Sequence, residues 1–477
     1  MAFLGRSLLS SWCLIVSTIL VVMVVSCGSP DEVEERQNDE EDNQHRDETC
    51  EPNSCEALAV ECGIHFDGCD DTVDCGGCDA ESLCVEGACV EQTVCEPLTC
   101  DDLGYECGEH TDGCGDIVHC GGCDGEATCS EGFCVQEPPP QKKAVFNYPD
   151  QEQGEPDERL EEELKKLLEL AEPDSSVHAS VYTWSRSTMV DAFVDAHHRG
   201  VFVHLILGSD SSAVQTLKEE LPDGRVLVCR RDGEPSGCHG GPINHNKFFL
   251  FSELSDGSRN VVVQSSANLT NPQVNTSNNT LVVIREDRAL YEAYRHYWHD
   301  LSRDIDDLHY GWSAEGSTGT KAYFFPRRWG DSATGEGDPV YDVFDDIDCA
   351  QGADVHIGQA RWSWARRGIA HKAAELQQQG CSVHVLVRYD FVADGIVDIL
   401  DEGGVSVTFY PYIHSKYFLI DGVYRGEQRQ VVWTGAMNFT SPGLRSNDEA
   451  AIKIEDPVIY EAYLQDWEKL SSDPAAH

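Results

Sequence analysis

Sixteen of the 22 cysteines return as two sets of eight at a constant offset of 45 residues. Cys50, Cys55, Cys62, Cys69, Cys75, Cys78, Cys84 and Cys89 are matched by Cys95, Cys100, Cys107, Cys114, Cys120, Cys123, Cys129 and Cys134, and "DGCDDTVDCGGC" is echoed by "DGCGDIVHCGGC". Few large apolar residues lie between them, so a hydrophobic core cannot hold either copy together. Each is expected to be a small module stapled by disulfides, Cys-rich repeat 1 over 50–94 and repeat 2 over 95–134. Spacing leaves the connectivity open. The CxxC pairs Cys75/Cys78 and Cys120/Cys123 also have the spacing of zinc ligands. A cysteine content this high points to an oxidising compartment, where disulfides prevail. Outside the repeats, Cys229/Cys238 and Cys349/Cys381 are expected to pair locally.

The N-terminus reads as a targeting segment. Arg6 precedes an apolar run from Trp12 to Val25, the length of a signal-peptide core and short for a membrane span. The run ends in "VVSCGS", which resembles a bacterial lipoprotein cleavage box. The resemblance implies a signal peptide over 1–27 with lipid added to Cys27, and Gly28 after it implies the outer membrane or cell surface. Residues 28–49 are acidic and lack apolar periodicity, as in a disordered tether. The net charge is −51, divided at the Pro138-Pro139-Pro140 run into roughly −27 before residue 144 and roughly −24 after it. Such a surface repels polyanions and counts against non-specific nucleic-acid binding, which needs many Lys and Arg contacts to phosphate.

The character changes after the Pro-rich linker, 135–143. "VHASVYTW", "VFVHLILG", "GRVLVC", "NVVVQSSANL" and "NTLVVIR" read as strands, with a helix in "STMVDAFVDAHHRG" and another in "RALYEAYRHYWHDLSRD". The order repeats as "ADVHIGQARW", "ARRGIAHKAAELQQQG", "CSVHVLVR", "VSVTFYPYIHSKYFLID", "QVVWTGAMNF", "EAAIKIED" and "PVIYEAYLQDWEKL". Alternating strands and helices give an α/β class, here two tandem α/β sandwich repeats over 144–312 and 313–470 forming one catalytic unit.

Each half carries the same polar constellation. The first has His245 and Lys247, then Asn268 in "SSAN", then Asn279. The second has His414 and Lys416, then Asn438 in "GAMN", then Glu449. The two segments are otherwise dissimilar, yet the spacing is matched. At these residues the chain resembles the phospholipase D superfamily, marked by two HxKxxxxD motifs each followed by a G/S-S-x-N turn. "HSKYFLID" fits in full. "HNKFFLFS" departs at Ser252, and "GAMN" has Ala436 where Ser is usual.

The resemblance implies phosphodiester cleavage through a covalent phosphohistidine, with no metal or cofactor. His245 is then the nucleophile and His414 the general acid. Lys247, Lys416, Asn268 and Asn438 hold the phosphate oxygens. The last position of each half is expected to back that half's own histidine: Glu449 for His414, and the uncharged Asn279 for His245. His245 should then be the less polarised ring. Asp421 and Ser252 lie at odd spacing from the His and Lys of their motifs. They read as structural supports, Asp421 through a backbone N–H or an arginine.

His197 and His198 read as solvated or packed, and His239 as a pocket-lining candidate. Trp312, Trp329, Trp362 and Trp364 read as core or as an apolar rim. The implied substrate is a phospholipid, met at a membrane through the lipid anchor, with a monomeric catalytic unit. The alternatives are a secreted nuclease of the same superfamily and a catalytically degenerate binding or adhesion protein.

Overall fold

The computed structural model describes residues 51–69, 71–91, 95–123, 128–135, 139–327 and 337–477. The expected signal peptide, Cys27 and the tether, together with Cys50 and Trp329, lie outside the described residues. The described residues form two compact units. One runs to Gly122 and takes in Glu131–Phe133; the other comprises Cys123–Ser130 and Cys134–His477. No helix among the described residues is long and apolar enough to cross a membrane.

Disulfides, with little apolar burial, organise the first unit. Cys55–Cys75 recurs 45 residues on as Cys100–Cys120, and beside them stand Cys62–Cys84, Cys78–Cys89 and Cys95–Cys114. Cys123 is bonded to Cys134 in the other unit. All four CxxC cysteines are therefore in disulfides and cannot ligate zinc. The repeated "DGC" has a polar reason. Asp67 Oδ1 accepts the N–H of Cys69 and of Asp71, and Asp112 Oδ1 accepts those of Cys114 and Asp116, so a buried carboxylate closes each turn.

Two mixed sheets with the same strand order build the second unit. The first runs Val226–Val228, Phe202–Leu207, Ser176–Val181, Lys247–Glu253, Arg259–Ser265, Thr280–Ile284, Lys142–Phe146. The second runs Ser406–Phe409, Ser382–Val387, Asp354–Gln359, Lys416–Tyr424, Glu427–Gly435, Ala450–Glu455, Thr320–Phe324, with Trp312–Glu315 added at the edge. In each, the first three strands are parallel and the next pairings antiparallel. The helices Ser187–His198 and Arg367–Gln378 supply the crossovers that parallel pairing requires. The expected α/β class and its duplication are present.

Strands such as "KFFLFSE" and "TLVVI" are apolar on both faces because both faces are covered. Helices Arg159–Leu170 and Ser187–His198 bury one face of the first sheet, and Arg367–Gln378 with Asp394–Glu402 one face of the second. The other faces share a single interior. Phe248, Leu250 and Val262 of the first sheet join Leu419, Val432 and Ile452 of the second around Tyr294, Tyr297, Tyr460 and Tyr463 of the two last helices. Each large side chain there contributes about 1.5–3 kcal/mol by burial, so the halves cannot part without exposing a core. Cys229–Cys238 and Cys349–Cys381 are both formed, as expected. The first closes a short loop, worth roughly 2–3 kcal/mol by chain entropy.

Several elements escaped the sequence reading. The helices Arg159–Leu170 and Asp394–Glu402 are rich in charge, and the strands Lys142–Phe146, at the edge of the first sheet, and Thr320–Phe324 are short. The strands of the two motifs begin at Lys247 and Lys416, so both histidines lie in the extended chain just before them. Trp362 is core, Trp312 is half-buried and Trp364 is exposed. His197 and His198 end a helix, near or at the surface.

Ser252 Oγ accepts the N–H of Ser176 at 2.8 Å, tying two neighbouring strands. Among the described residues, neither a backbone N–H nor an arginine donates to Asp421. Its oxygens take the side-chain amides of Gln428 and Gln430, both at 2.8 Å. The hairpin partner strand places Gln430 directly opposite it and Gln428 diagonal to it, opposite Val423, which makes the expected donor unnecessary. Both contacts are exposed or half-exposed. Asp421→Ala should therefore cost about 0.5–1.5 kcal/mol in denaturant unfolding, with turnover per folded molecule unchanged. A large turnover loss in a fully folded variant would contradict this placement.

Candidate active site

The two motif histidines meet where the two sheets end, and the backbone crosses between the halves to hold them. His245 N donates to Asp448 O, and His414 N donates to Asn278 O, each at 2.9 Å. Parallel bridges Asn244↔Asp448 and Asn278↔Ile413 repeat the arrangement on both sides. Each histidine thus lies beside the last motif position of the other half.

This crossing corrects the expected pairing. His245 Nδ1 stands 3.0 Å from Glu449 Oε2, and His414 Nδ1 stands 2.8 Å from Asn279 Oδ1. The carboxylate therefore backs His245, which is the more polarised ring, the reverse of the sequence expectation. Sequence correspondence assigned each acceptor to its own half; the two-fold relation of the halves exchanges them.

The tautomers follow from the partners. Asn279 Nδ2 donates to the carbonyls of Gln273 at 3.3 Å and Ser277 at 3.0 Å, so Oδ1 must face His414 and accept. His414 Nδ1 then carries a proton toward Asn279, with Lys416 Nζ, whose donor bond goes to the His414 carbonyl, also 3.0 Å from that nitrogen. An ionised Glu449 sets the same tautomer on His245. In both rings Nε2 has no hydrogen-bond partner among the described residues and is the atom left for chemistry. The departures from the family pattern fit together here. Ser266 Oγ donates to Asn279 Oδ1 at 3.2 Å, while the second half has Ala436 and instead uses Asn447 Nδ2, which donates to Glu449 Oε1 at 3.2 Å.

Around the rings sit the expected charge carriers. Lys247 and Lys416 are fully buried. Lys247 Nζ donates to His245 O at 2.7 Å, and Lys416 Nζ donates to His414 O. The carboxamide oxygens of Asn268 and Asn438 are buried without a partner. Burial pushes Lys247 down to about 7 and Lys416 well below its ordinary value. Burial, and then the lysines, hold both histidines well below 6.5, so they are neutral at rest. Burial raises Glu449 to about 8 and the lysines oppose that rise, so the carboxylate form that backs His245 predominates above that value. Ammonium groups taken out of water without full compensation favour an anion in the space between them.

Two residues that sequence reasoning did not select support this geometry. Asp448 accepts the N–H of Cys238, the N–H of His239 at 3.3 Å and His239 Nδ1 at 3.1 Å. It ties the disulfide-closed loop of the first half to the second motif. His239 is itself buried and stacks on Tyr310 at 4.0 Å, so it packs rather than lines the pocket. Gly241 in that loop has no room for a side chain, because a Cβ would overlap the Ser446 carbonyl oxygen. Adjacent "SND" and "GG" in the two halves were visible as polar and flexible segments, but nothing in the sequence paired them.

A family profile described as "Cardiolipin synthase, PLD-like domain" matches residues 164–304 and 343–471, more than half of the chain. Mitochondrial cardiolipin hydrolase of Xenopus tropicalis is 31% identical over 116 residues, 23% of this chain and 52% of that protein. Its counterpart in Xenopus laevis is 27% identical over 133 residues, 26% of this chain and 60% of that protein. The chain spans about half the length of the curated relatives it matches. Among solved structures, phosphatidylserine synthase of Haemophilus influenzae Rd KW20 is similar with a TM-score of 0.49 at 13% identity, covering 70% of this chain and 86% of that one. The phospholipase D family member Nuc of Salmonella typhimurium is similar with a TM-score of 0.27 at 16% identity, covering 37% and 97%.

Two outcomes are expected of the site. Inorganic phosphate binding should weaken as pH rises through about 7, because the protonated lysine is the binding form. Calorimetry in buffers of different ionisation heat should show proton uptake on binding; pH-independent affinity without uptake would contradict the buried-lysine account. Asn279→Asp would set a carboxylate against two carbonyl oxygens. It should lower stability by about 1–3 kcal/mol, seen as a fall in Tm.

Proposed function

The chain belongs to the phospholipase D superfamily, and from that premise we propose that it is a phosphodiesterase hydrolysing phospholipids at the head-group ester. The observation that carries this reading is the pair of imidazoles held in the Nδ1–H tautomer over two buried lysines. Neutral His245 Nε2 attacks phosphorus, and the bond to the leaving oxygen breaks. His414 first takes a proton from solvent onto Nε2 as the phosphate anion binds beside it, and this imidazolium gives the leaving oxygen its proton. Water then attacks the phosphohistidine, His414 takes the water's proton, and the phosphorus–nitrogen bond to His245 breaks. Glu449 stabilises the positive charge that grows on His245 during attack. An amide behind His414 polarises it less than a carboxylate would, which leaves its protonated form the stronger acid. Lys247, Lys416, Asn268 and Asn438 stabilise the non-bridging oxygens as charge shifts onto them.

Two features favour a lipid over a polynucleotide. The acidic surface repels polyanions, and Trp364, Tyr389 and Phe391 are 50%, 64% and 37% exposed on the segments that follow the strands Asp354–Gln359 and Ser382–Val387, with Phe391 lining the pocket at His414. Exposed aromatics interleaved with Arg361, Arg367 and Arg388 suit a lipid–water interface. One chain supplies both histidines and both acceptors, which fits a monomeric catalytic unit. The lipoprotein-like N-terminus would place it at the outer membrane or cell surface through lipid on Cys27, and the disulfides are consistent with an extracellular setting.

The full chain should release head group from labelled phospholipid vesicles at a rate unaffected by EDTA, with single-stranded DNA a poorer substrate. His245→Ala should lower turnover by about 10³-fold or more. Faster cleavage of DNA would favour the nuclease, turnover of neither would favour a binding protein, and loss on adding EDTA would contradict the mechanism.

A further inference from the structure

The halves differ at the mouth of the site. In the second half an open pocket of about 260 Å³ adjoins His414, lined by Ala360, Arg361, Arg388, Phe391, Ile413 and His414. Both guanidinium carbons lie over the Phe391 ring, Arg361 at 4.5 Å and Arg388 at 4.6 Å from its centroid. Neither side chain has a carboxylate or carbonyl partner among the described residues, and Arg388 Nε is buried without one. The chain holds 85 acidic and 34 basic residues. Arg361 is exposed and Arg388 half-buried, so water reaches both, and an acidic group entering the pocket would replace that water with charge-assisted hydrogen bonds. At the matching positions of the first half, just after its two paired parallel strands, stand Thr183 and Gly208. The feature therefore does not come from the duplicated fold.

We propose that Arg361 and Arg388 form a second anion subsite that takes an acidic group, carboxylate or phosphate, carried by the substrate's leaving alcohol. The inference rests on the reading of His414 as the acid for the leaving oxygen, since the pocket continues from that ring. Phe391 holds the two planar forks apart from water on one side and presents their N–H edges to the ligand. A leaving alcohol without an acidic group would leave both cations unpaired. The subsite thus sets preference among head groups without taking part in bond cleavage.

Serine and ethanolamine head groups test this, because they differ by one carboxylate. Vesicles composed mainly of phosphatidylcholine, with a small fraction of either lipid, keep the surface charge low while head-group release is measured. The full chain should favour the serine lipid in kcat/KM by about tenfold. In Arg361→Gln and in Arg388→Gln the ratio should fall toward one, with Arg→Lys restoring part of it. A wild-type ratio near one, or a ratio unmoved by both variants, would overturn the subsite. Calorimetric binding of glycerophosphoserine against glycerophosphoethanolamine gives the same comparison without turnover. A protein that cleaves neither lipid yet prefers glycerophosphoserine through the arginines keeps the subsite and contradicts the proposed function. Equal binding in that case overturns both.

Discussion

His245 Nδ1 and the Glu449 carboxylate are 3.0 Å apart across 204 residues of sequence, and the second unit is arranged around that contact and its counterpart. A histidine from one half can reach an acceptor from the other only if the two sheets face each other in fixed register. The shared interior around Tyr294, Tyr297, Tyr460 and Tyr463 fixes it. The backbone bonds from His245 to Asp448 and from His414 to Asn278 then set the last ångström. Folding of one half without the other would leave each imidazole without the partner that fixes its tautomer.

The same crossing makes the pair of histidines unequal. One ring has a carboxylate behind it and the other an amide, so a duplicated scaffold holds two groups with different proton affinities. In the proposed mechanism that inequality distinguishes nucleophile from acid. Asn279 fits its place for a local reason, since its Nδ2 answers two carbonyls that a carboxylate would repel. The buried lysines add a second constraint. The protein compensates their charge only in part, and in the proposed function a bound phosphate would supply the rest.

Much of this was legible in the sequence, for physical reasons. Apolar strands covered on both faces announce themselves, so the repeated strand order appeared before any coordinates. The matched spacing of His, Lys and Asn in the two halves marked the residues that converge. The exchange of acceptors was not legible, because equivalence in sequence says which residues correspond and not which ones touch. Asp448 and Gly241 act through contacts between halves and carry no local signature. Arg361 and Arg388 have none either: each is a single arginine after a strand, and only their common approach to Phe391 sets them apart. The donors to Asp421 were not legible either, because they are glutamines on the partner strand, Gln430 opposite it and Gln428 diagonal to it.

The central claim is that the carboxylate-backed ring is the nucleophile. The most direct test is to quench turnover in His414→Ala and in His245→Ala and to locate the phosphoryl group by mass spectrometry. The account predicts a phosphohistidine at position 245 in the first variant and none in the second. Phosphate on His414 in the second variant, with none in the first, would show that the amide-backed ring attacks and would contradict it.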